Sequence, residues 1–464
     1  MNVRYKTADV AHKAEIHKDT LLRWLRKGLI REPKRDRHGW RIFTEQEMLK
    51  VIAFARAESI ATKVGEQSAC YEMLTETGRL KAIDWDFRDV KTIYLTHGQH
   101  PYPAKFIPQI PNALIQELSS IGETVLDIFC GSGTTLVEAL LLKRHAIGID
   151  ANPLACLISQ CKTSQVSEKD IELLNGLVER ANELADTLYT YRGTLFNQST
   201  FSSRAWRPAD PAITFWFEQF VLEELAEILS WCRSLSTHSS RQLALTTFSS
   251  IIVAVSRQDS DTRYVRRQKD IKPGDTARRF TKALMDAIHA AQEFSELVES
   301  RFHCSVFYEN ILNGPEIGHA HLVVCSPPYP NAYSYHLYHM TRMLWLGMDQ
   351  PRFKKEEIGS HRKYSKKNNG ATEDTFRKEM SSIFNWLGGV LERGRYACFV
   401  IGNSCINGRN VNNADLISDV AKRHGFSEVE RIPRRMQDSR KSFNPAHGRI
   451  KTEQILILQN WSRN

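Results

Sequence analysis

Four consecutive residues, Ser326-Pro327-Pro328-Tyr329, carry the most specific chemistry in the chain. They follow an apolar run, Leu322-Val323-Val324-Cys325, that reads as a buried strand. The two prolines fix the loop and remove two backbone donors. What remains is a set of acceptors, the Ser326 hydroxyl oxygen and the Pro327 carbonyl, beside the aromatic face of Tyr329. An exocyclic NH2 group on a nucleobase is a donor twice over. These two oxygens can accept both of its hydrogens while the ring stacks on a base that has left its duplex. The amine lone pair is then free for in-line attack on an electrophilic carbon, and no covalent intermediate with the protein is needed. No Pro-Cys pair occurs in the chain, which argues against covalent attack on carbon-5 of cytosine.

A second constellation lies upstream, Asp127-Ile128-Phe129-Cys130-Gly131-Ser132-Gly133-Thr134-Thr135. Glycines 131 and 133 permit a sharp turn and the close approach of a ligand. A helix that starts there points its free N–H groups at that ligand. Asp150 ends the next predicted strand, where a carboxylate can accept both hydroxyls of a ribose. A dinucleotide-binding dehydrogenase shares this plan. Leu136 weighs against it, because it stands three residues after Gly133, where that motif needs a third glycine for close helix packing.

The elements that must hold these groups are legible as hydrophobic runs. ETVLDIFCG and HAIGID read as strands around the amphipathic helix SGTTLVEALLLK. SVFYEN (305–310), HLVVCSPPY (321–329), YACFVIGNS (396–404) and TEQILILQN (452–460) read as further strands, and 166–300 as mostly helical. This alternation predicts an α/β fold, a mainly parallel sheet with helices on both faces and ligands at the carboxyl ends of the strands. At ~150 residues per domain, 464 residues suggest two to four domains. Cys130 and Cys325, at predicted strand ends, read as buried reduced thiols; no Cys-x-x-Cys pair suggests zinc. No window approaches the ~18 apolar residues of a membrane span, and no signal-peptide pattern opens the chain, so a cytoplasmic protein is expected.

D-x-F-x-G-S-G-T-T resembles motif I of the DNA amino-methyltransferases, and Asp150 in GIDANPLA resembles their motif II. His97-Gly98-Gln99-His100-Pro101-Tyr102-Pro103-Ala104-Lys105-Phe106 resembles their motif X, and Ser326–Tyr329 their motif IV. The resemblance covers about 97–160 and 304–460. It implies a Rossmann-like S-adenosylmethionine-dependent methyltransferase domain over 96–464, with 160–300 a helical insertion and a candidate for target recognition. It implies cofactor contacts from His100, Tyr102, Lys105, Phe106, Asp127, Phe129, Gly131, Gly133, Thr134, Thr135, Asp150 and Asn152, with no metal. It implies catalysis by Ser326, Pro327, Pro328 and Tyr329 on double-stranded DNA. In that family S-P-P-Y tends to mark cytosine-N(4) enzymes and N-P-P-Y/F/W adenine-N(6) enzymes. The motif order here, X, I, insertion, IV, departs from the many cytosine-N(4) enzymes that place IV before I, so adenine stays open. Two further readings are an RNA methyltransferase and a non-catalytic DNA-binding regulator on this scaffold; the N-terminal segment opposes the first and the intact motifs the second. A cognate restriction or defence partner would be a separate chain.

The N-terminal segment 1–56 reads as a separate unit. TADVAHKA and KDTLLRWLRKG look like two helices, the second with Leu21, Leu22 and Leu25 facing a core. LIREPKRDRHGWRIFT reads as a hairpin wing tipped by His38-Gly39, before a third helix starting near Thr44. Thr7, Val10, Ala11, Thr20, Leu21, Arg23, Trp24, Gly28, Leu29, Ile30, Gly39, Trp40 and Arg41 resemble the winged helix-turn-helix signature of the MerR family. That resemblance implies DNA contacts from Arg23, Lys27, Arg37 and Arg41. Residues 57–95 read as a linker or bridging helix.

Net charge is +10 and unevenly spread. Residues 1–50 hold thirteen Lys/Arg against seven Asp/Glu, 352–367 seven against two, and 431–451 seven against one; three separate basic stretches fit a phosphate backbone. Within the insertion, Ser256–Arg267 offers Arg263 and Arg266 as further DNA contacts. The 352–368 stretch reads as disordered without DNA, and 434–449 as a basic hairpin tip.

Overall fold

The computed structural model describes residues 4–14, 16–26, 30, 32–35, 41–45, 47–52, 55, 76–88, 90–190, 201–331, 333–364, 370–406, 408–435 and 452–462. Contacts divide the chain into two units, Met1–Arg79 and Leu80–Asn464.

The first unit starts with strand β1 (Arg4–Lys6) and helices α1 (Thr7–Lys13) and α2 (Lys18–Arg26). Strands β2 (Lys34–Arg35) and β3 (Arg41–Thr44) follow, and the sheet order is β1-β3-β2, antiparallel throughout. Leu21, Trp24 and Leu25, at i, i+3 and i+4, bury one face of α2 against Val10, Ala11, Phe43, Met48 and Val51. Leu22, expected in that core, is only partly buried because its position falls off this stripe. After β3, Thr44 Oγ1 accepts the Glu47 N–H (3.3 Å) and Glu47 Oε2 accepts the Thr44 N–H (2.8 Å), a capping box opening the helical residues 47–52. The expected wing tip, Lys27 and Arg37, and most of the expected linker lie outside the described residues.

The second unit is built on seven strands: β4 (Thr124–Asp127), β5 (His145–Asp150), β8 (Cys304–Tyr308), β9 (Ala320–Cys325), β10 (Leu391–Gly402), β13 (Phe426–Arg435) and β14 (Thr452–Asn460). Their order is β13-β14-β10-β9-β4-β5-β8. β8, β5, β4, β9 and β10 run parallel, while β14 is antiparallel to both of its neighbours. This mostly parallel α/β sheet is the Rossmann-like architecture that the resemblance implies. Successive residues feed opposite faces. Val125, Leu322, Val324, Cys398 and Ile455 pack with helix α3 (Gln109–Leu118). Leu126, Val323, Phe399 and Leu456 pack against two long helices, Glu373–Val390 and Asn413–Arg423. Burial on both faces is why these strands read as unbroken apolar runs. Helix α4 (Thr134–Leu141) links β4 to β5, and α5 (Pro153–Thr163) follows β5.

Leu80 and Trp85 are buried on the α3 face, and the Trp85 indole donates to the Leu80 carbonyl (2.9 Å). The linker expected over 57–95 therefore ends before residue 80, because these apolar side chains complete the core of the sheet.

Between β5 and β8 the chain makes a helical excursion. Its main helices are α6 (Glu168–Thr190), α7 (Gln219–Ser234), α8 (His238–Val255) and α9 (Asp275–Leu297), around a cluster that includes Leu174, Leu225, Phe248, Phe280 and Leu284. The stretch Ser256–Arg267 is a hairpin of β6 (Gln258–Ser260) and β7 (Arg263–Arg266), and a second antiparallel pair outside the main sheet, β11 (Ser404–Ile406) with β12 (Arg409–Val411), follows β10. The ends of the excursion are tied together: Gln165 Nε2 donates to the Val298 carbonyl (2.7 Å) and the Val166 N–H to Ser295 Oγ (2.9 Å).

Candidate active site

The loops after β5, β4 and β9, adjacent parallel strands, open at the same end of the sheet. The β4 loop turns through two glycines in the left-handed region, Gly131 at φ 49° and Gly133 at φ 75°. A Cβ on Gly133 would lie 3.0 Å from Ser159 Cα on α5, so the turn also needs the absence of a side chain there. Asp150 pins the turn from the neighbouring strand. Its Oδ2 accepts the Gly131 N–H and its Oδ1 the Asn152 N–H, both at 2.8 Å. Asn152 caps α5 by accepting the Leu154 N–H (3.0 Å). The fully buried Lys162 Nζ donates to the Ser132 carbonyl (3.0 Å), and burial pushes its pKa well below the usual lysine range.

The 97–106 segment folds over this turn, held by buried polar anchors. His97 Nε2 donates to Glu138 of α4 (2.7 Å), which also accepts from Tyr94 (2.6 Å) and Asn112 (2.6 Å). His100 Nδ1 donates to the Pro101 carbonyl (2.7 Å) and its Nε2 meets the Ser249 hydroxyl (3.0 Å). Burial lowers both imidazoles below the usual histidine range and keeps them neutral. Tyr102 packs against Gly131, receives a bond from Asn152 Nδ2 (3.4 Å) and stacks on Tyr335, with ring centroids 5.8 Å apart. Lys105 donates to the His97 carbonyl.

After β9, the Ser326 hydroxyl donates to the Val400 carbonyl of β10 (3.1 Å). The Tyr329 hydroxyl donates to Glu453 Oε1 on β14 (2.6 Å). Asn331 turns with φ 64° and its N–H donates to the Gly359 carbonyl (3.0 Å). A Cβ on Gly359 would lie 3.1 Å from the carbonyl oxygens of Pro328 and Tyr329. The 352–364 stretch is therefore ordered, contrary to the expectation of disorder. Phe353, Ile358 and Tyr364 are buried anchors that an average over its lysines hides. Residues 365–369 lie outside the described set.

These segments enclose one cavity of about 440 Å³, within the range of small-molecule sites. All four of Ser326, Pro327, Pro328 and Tyr329 line it, with Tyr102, Lys105, Phe106, Asp127, Phe129, Gly131, Thr134, Asp150 and Asn152. His100, Gly133 and Thr135 do not line it, and act on the scaffold around it. Tyr333, Tyr335, Phe353, Glu356, Glu357, Ile358, Arg434 and Glu453 line it without having been singled out in the sequence. The tyrosine-rich stretch Tyr329–Tyr338 was the one available signal for two of them.

Six carboxylates and two cations line the cavity, so it favours a positively charged ligand. Burial pushes Asp127 up to about 7 and Asp150 up to about 6. S-adenosylmethionine fits this set: Asp150 keeps lone pairs for the ribose hydroxyls, and the acidic lining suits a sulfonium. Ionisation turns the carboxyl's O–H donor into a further acceptor and adds a negative charge facing a cation, so affinity for this cofactor should rise with pH through about 6 to 7 and then level off. Calorimetry between pH 5 and 8 checks this; an affinity that is flat or falls with pH contradicts it. Among the described residues no His/Cys/Asp/Glu group is arranged to hold a metal ion, and no helix is long and apolar enough to cross a membrane.

Of the expected DNA contacts, Arg23 is exposed on α2, and Arg41 is paired with Glu32 (2.7 Å). Arg263 is paired with Asp259 (3.2 Å), and Arg266 lies exposed with its guanidinium 4.6 Å over the Phe215 ring. The hairpin carrying them is fixed to the segment after the Ser326–Tyr329 loop. Gln258 Nε2 donates to the Tyr338 carbonyl (3.3 Å) and Arg342 pairs with Asp261. Lys27 and Arg37 lie outside the described residues.

Residues 29–160 match the family profile described as DNA methylase, a span holding the 97–106 segment, the glycine turn and Asp150. The chain is 29% identical over 143 residues to the Type II methyltransferase M.MjaII of Methanocaldococcus jannaschii, covering 30% of this chain and 24% of that protein. It is 27% identical over 175 residues to the Type II methyltransferase M.MvaI of Kocuria varians, covering 37% and 36%. It is 39% identical over 88 residues to the Type II methyltransferase M.BglI of Bacillus subtilis, covering 19% and 23%. The chain thus spans between 23% and 36% of the length of these relatives.

Proposed function

We propose that this chain is an S-adenosylmethionine-dependent DNA methyltransferase that methylates the exocyclic amino group of cytosine by direct transfer. The observation that carries this reading is the bonding of Ser326. Its hydroxyl donates to the Val400 carbonyl (3.1 Å), which leaves its oxygen lone pairs for a donor in the cavity. The Pro327 carbonyl adds a second acceptor that no nearby proline N–H can contest. Together they suit a group with two N–H donors, and Tyr329 supplies a stacking face for a base turned out of the duplex.

The cofactor, when bound, supplies a methyl carbon made electrophilic by the adjacent positive sulfur. The residues here orient and desolvate. Asp150 and the glycine turn hold the ribose, and the acidic lining favours the cation in the ground state. Ser326 and Pro327 aim the amine by taking its hydrogens. The choice of cytosine rests on the serine that opens the motif; adenine-N(6) is the alternative. Liquid chromatography–mass spectrometry of digested DNA from cells making the protein tests both points. N(4)-methylcytosine is expected. A methyl on carbon-5 would overturn direct transfer, and a methyl on adenine would overturn the base assignment alone.

DNA is held, on this reading, by the β6–β7 hairpin through Arg263 and Arg266, and by the N-terminal unit as a winged helix-turn-helix through Arg23, Lys27, Arg37 and Arg41. Its support is the order of two helices and an antiparallel hairpin, with Arg23 exposed on the second helix. Deleting residues 1–56 should weaken DNA binding and flatten its dependence on salt, since each lost phosphate contact removes close to one unit of the log–log slope. Binding curves at two salt concentrations that coincide with and without the unit would make it a protein-docking domain instead.

A further inference from the structure

Tyr329 does more than present a ring, because its hydroxyl is held by a buried carboxylate (2.6 Å). That carboxylate, Glu453, is only 8% exposed and lies on β14, far from the motif in sequence. Arg434, 3% exposed, is its direct cross-strand partner on β13 and pairs with its other oxygen. Arg434 is itself held by the Trp85 carbonyl, which accepts from its Nε (3.1 Å). Tyr329, Glu453 and Arg434 all line the cavity. A ring needed for stacking alone would need no hydroxyl. An ion pair needed for the fold alone would gain nothing by opening onto the cavity and ending on the stacking residue.

We propose that Glu453, fixed by Arg434, is a positioning residue that sets the orientation of Tyr329 and so the geometry in which the target base is stacked. This rests on the amino-methyltransferase reading. The carboxylate acts through the tyrosine hydroxyl, so removing either partner disconnects the same link. Removing both costs no more than removing one. A Glu453 that served the fold alone, or acted on the substrate directly, would contribute independently of that hydroxyl.

The test is a double-mutant cycle of Tyr329→Phe and Glu453→Gln, read by transfer of labelled methyl groups to unmodified genomic DNA and by calorimetry with S-adenosylmethionine. Tyr329→Phe keeps the ring and the ion pair. It should lower kcat about tenfold, the worth of one hydrogen bond to a charged group, with cofactor affinity within about twofold. Glu453→Gln should do the same, and the double variant should be no slower than the slower single. Effects that multiply, or a Tyr329→Phe enzyme with wild-type kcat, would overturn the proposal. Glu453→Gln leaves Arg434 buried without a counter-charge; if it fails to fold, Tyr329→Phe decides alone. Wild-type protein that binds the cofactor yet transfers no methyl to DNA would bring down the parent reading and this one with it. Wild-type transfer with multiplying effects in the cycle would bring down this one only.

Discussion

Tyr329→Ala should lower kcat for methyl transfer to DNA by roughly a hundredfold while leaving S-adenosylmethionine affinity close to the wild-type value. Stacking of a base on an aromatic ring is worth ~1–3 kcal/mol. The substitution also strips the buried Glu453 carboxylate of the hydroxyl that now donates to it (2.6 Å). An unsatisfied buried group costs ~1–3 kcal/mol, partly relieved by water entering the space left by the ring, and this lowers stability rather than kcat because it weighs on ground and transition states alike. A loss near ~3 kcal/mol where the base is held, from stacking and its orientation, gives about two decades in rate. Labelled-methyl assays beside calorimetry read the two quantities separately. A variant with kcat within threefold of wild type would show that the ring does not hold the base.

Asp150→Ala should weaken cofactor binding by roughly two decades or more. The carboxylate does two jobs. It faces the cavity, where on the proposed function it accepts ribose hydroxyls, an interaction worth ~1.5–3 kcal/mol with a charged partner. It also accepts the N–H groups of Gly131 and Asn152, each at 2.8 Å, and so holds the glycine turn in its left-handed geometry before any ligand arrives. Alanine removes both, so affinity and melting temperature should fall together. Asp150→Asn keeps one oxygen acceptor and should recover part of each. Unchanged affinity in a folded Asp150→Ala variant would remove Asp150 from the cofactor site.

The parts of the site legible in the sequence are those that the chain itself places. Asp150 ends an apolar strand, Ser326 directly follows one and Gly131 sits in the turn after another, and parallel strands that are buried on both faces advertise themselves as unbroken runs. Glu453, Arg434 and Glu357 were not legible. They reach the cavity through the order of β13, β14 and β10 and through the packing of Gly359 on the Ser326–Tyr329 loop, relations between distant segments that leave no local pattern. Residue type misled in the other direction at His100. A histidine in a motif invites a ligand role, but this imidazole is closed off by Pro101 and Ser249 and lies outside the cavity lining. Composition misled at 352–364, where a few apolar anchors outweigh many lysines.

The clasp at the foot of the helical excursion bears on how such a chain can change. β5 and β8 must pair along five positions, from Ala146 with Cys304 to Asp150 with Tyr308, although the whole excursion lies between them. With Gln165 bonded to Val298 and Val166 to Ser295, the two chain ends emerge side by side, and the excursion keeps its own apolar cluster. Closing a longer or shorter loop at a fixed stem changes the entropy only as the logarithm of its length. Insertions and deletions in its outer turns thus leave the sheet nearly untouched, while α8 and the β6–β7 hairpin stay tied to the site through Ser249 with His100 and Gln258 with Tyr338. The outer excursion is free to change in length and sequence, while these ties hold the cavity where it is.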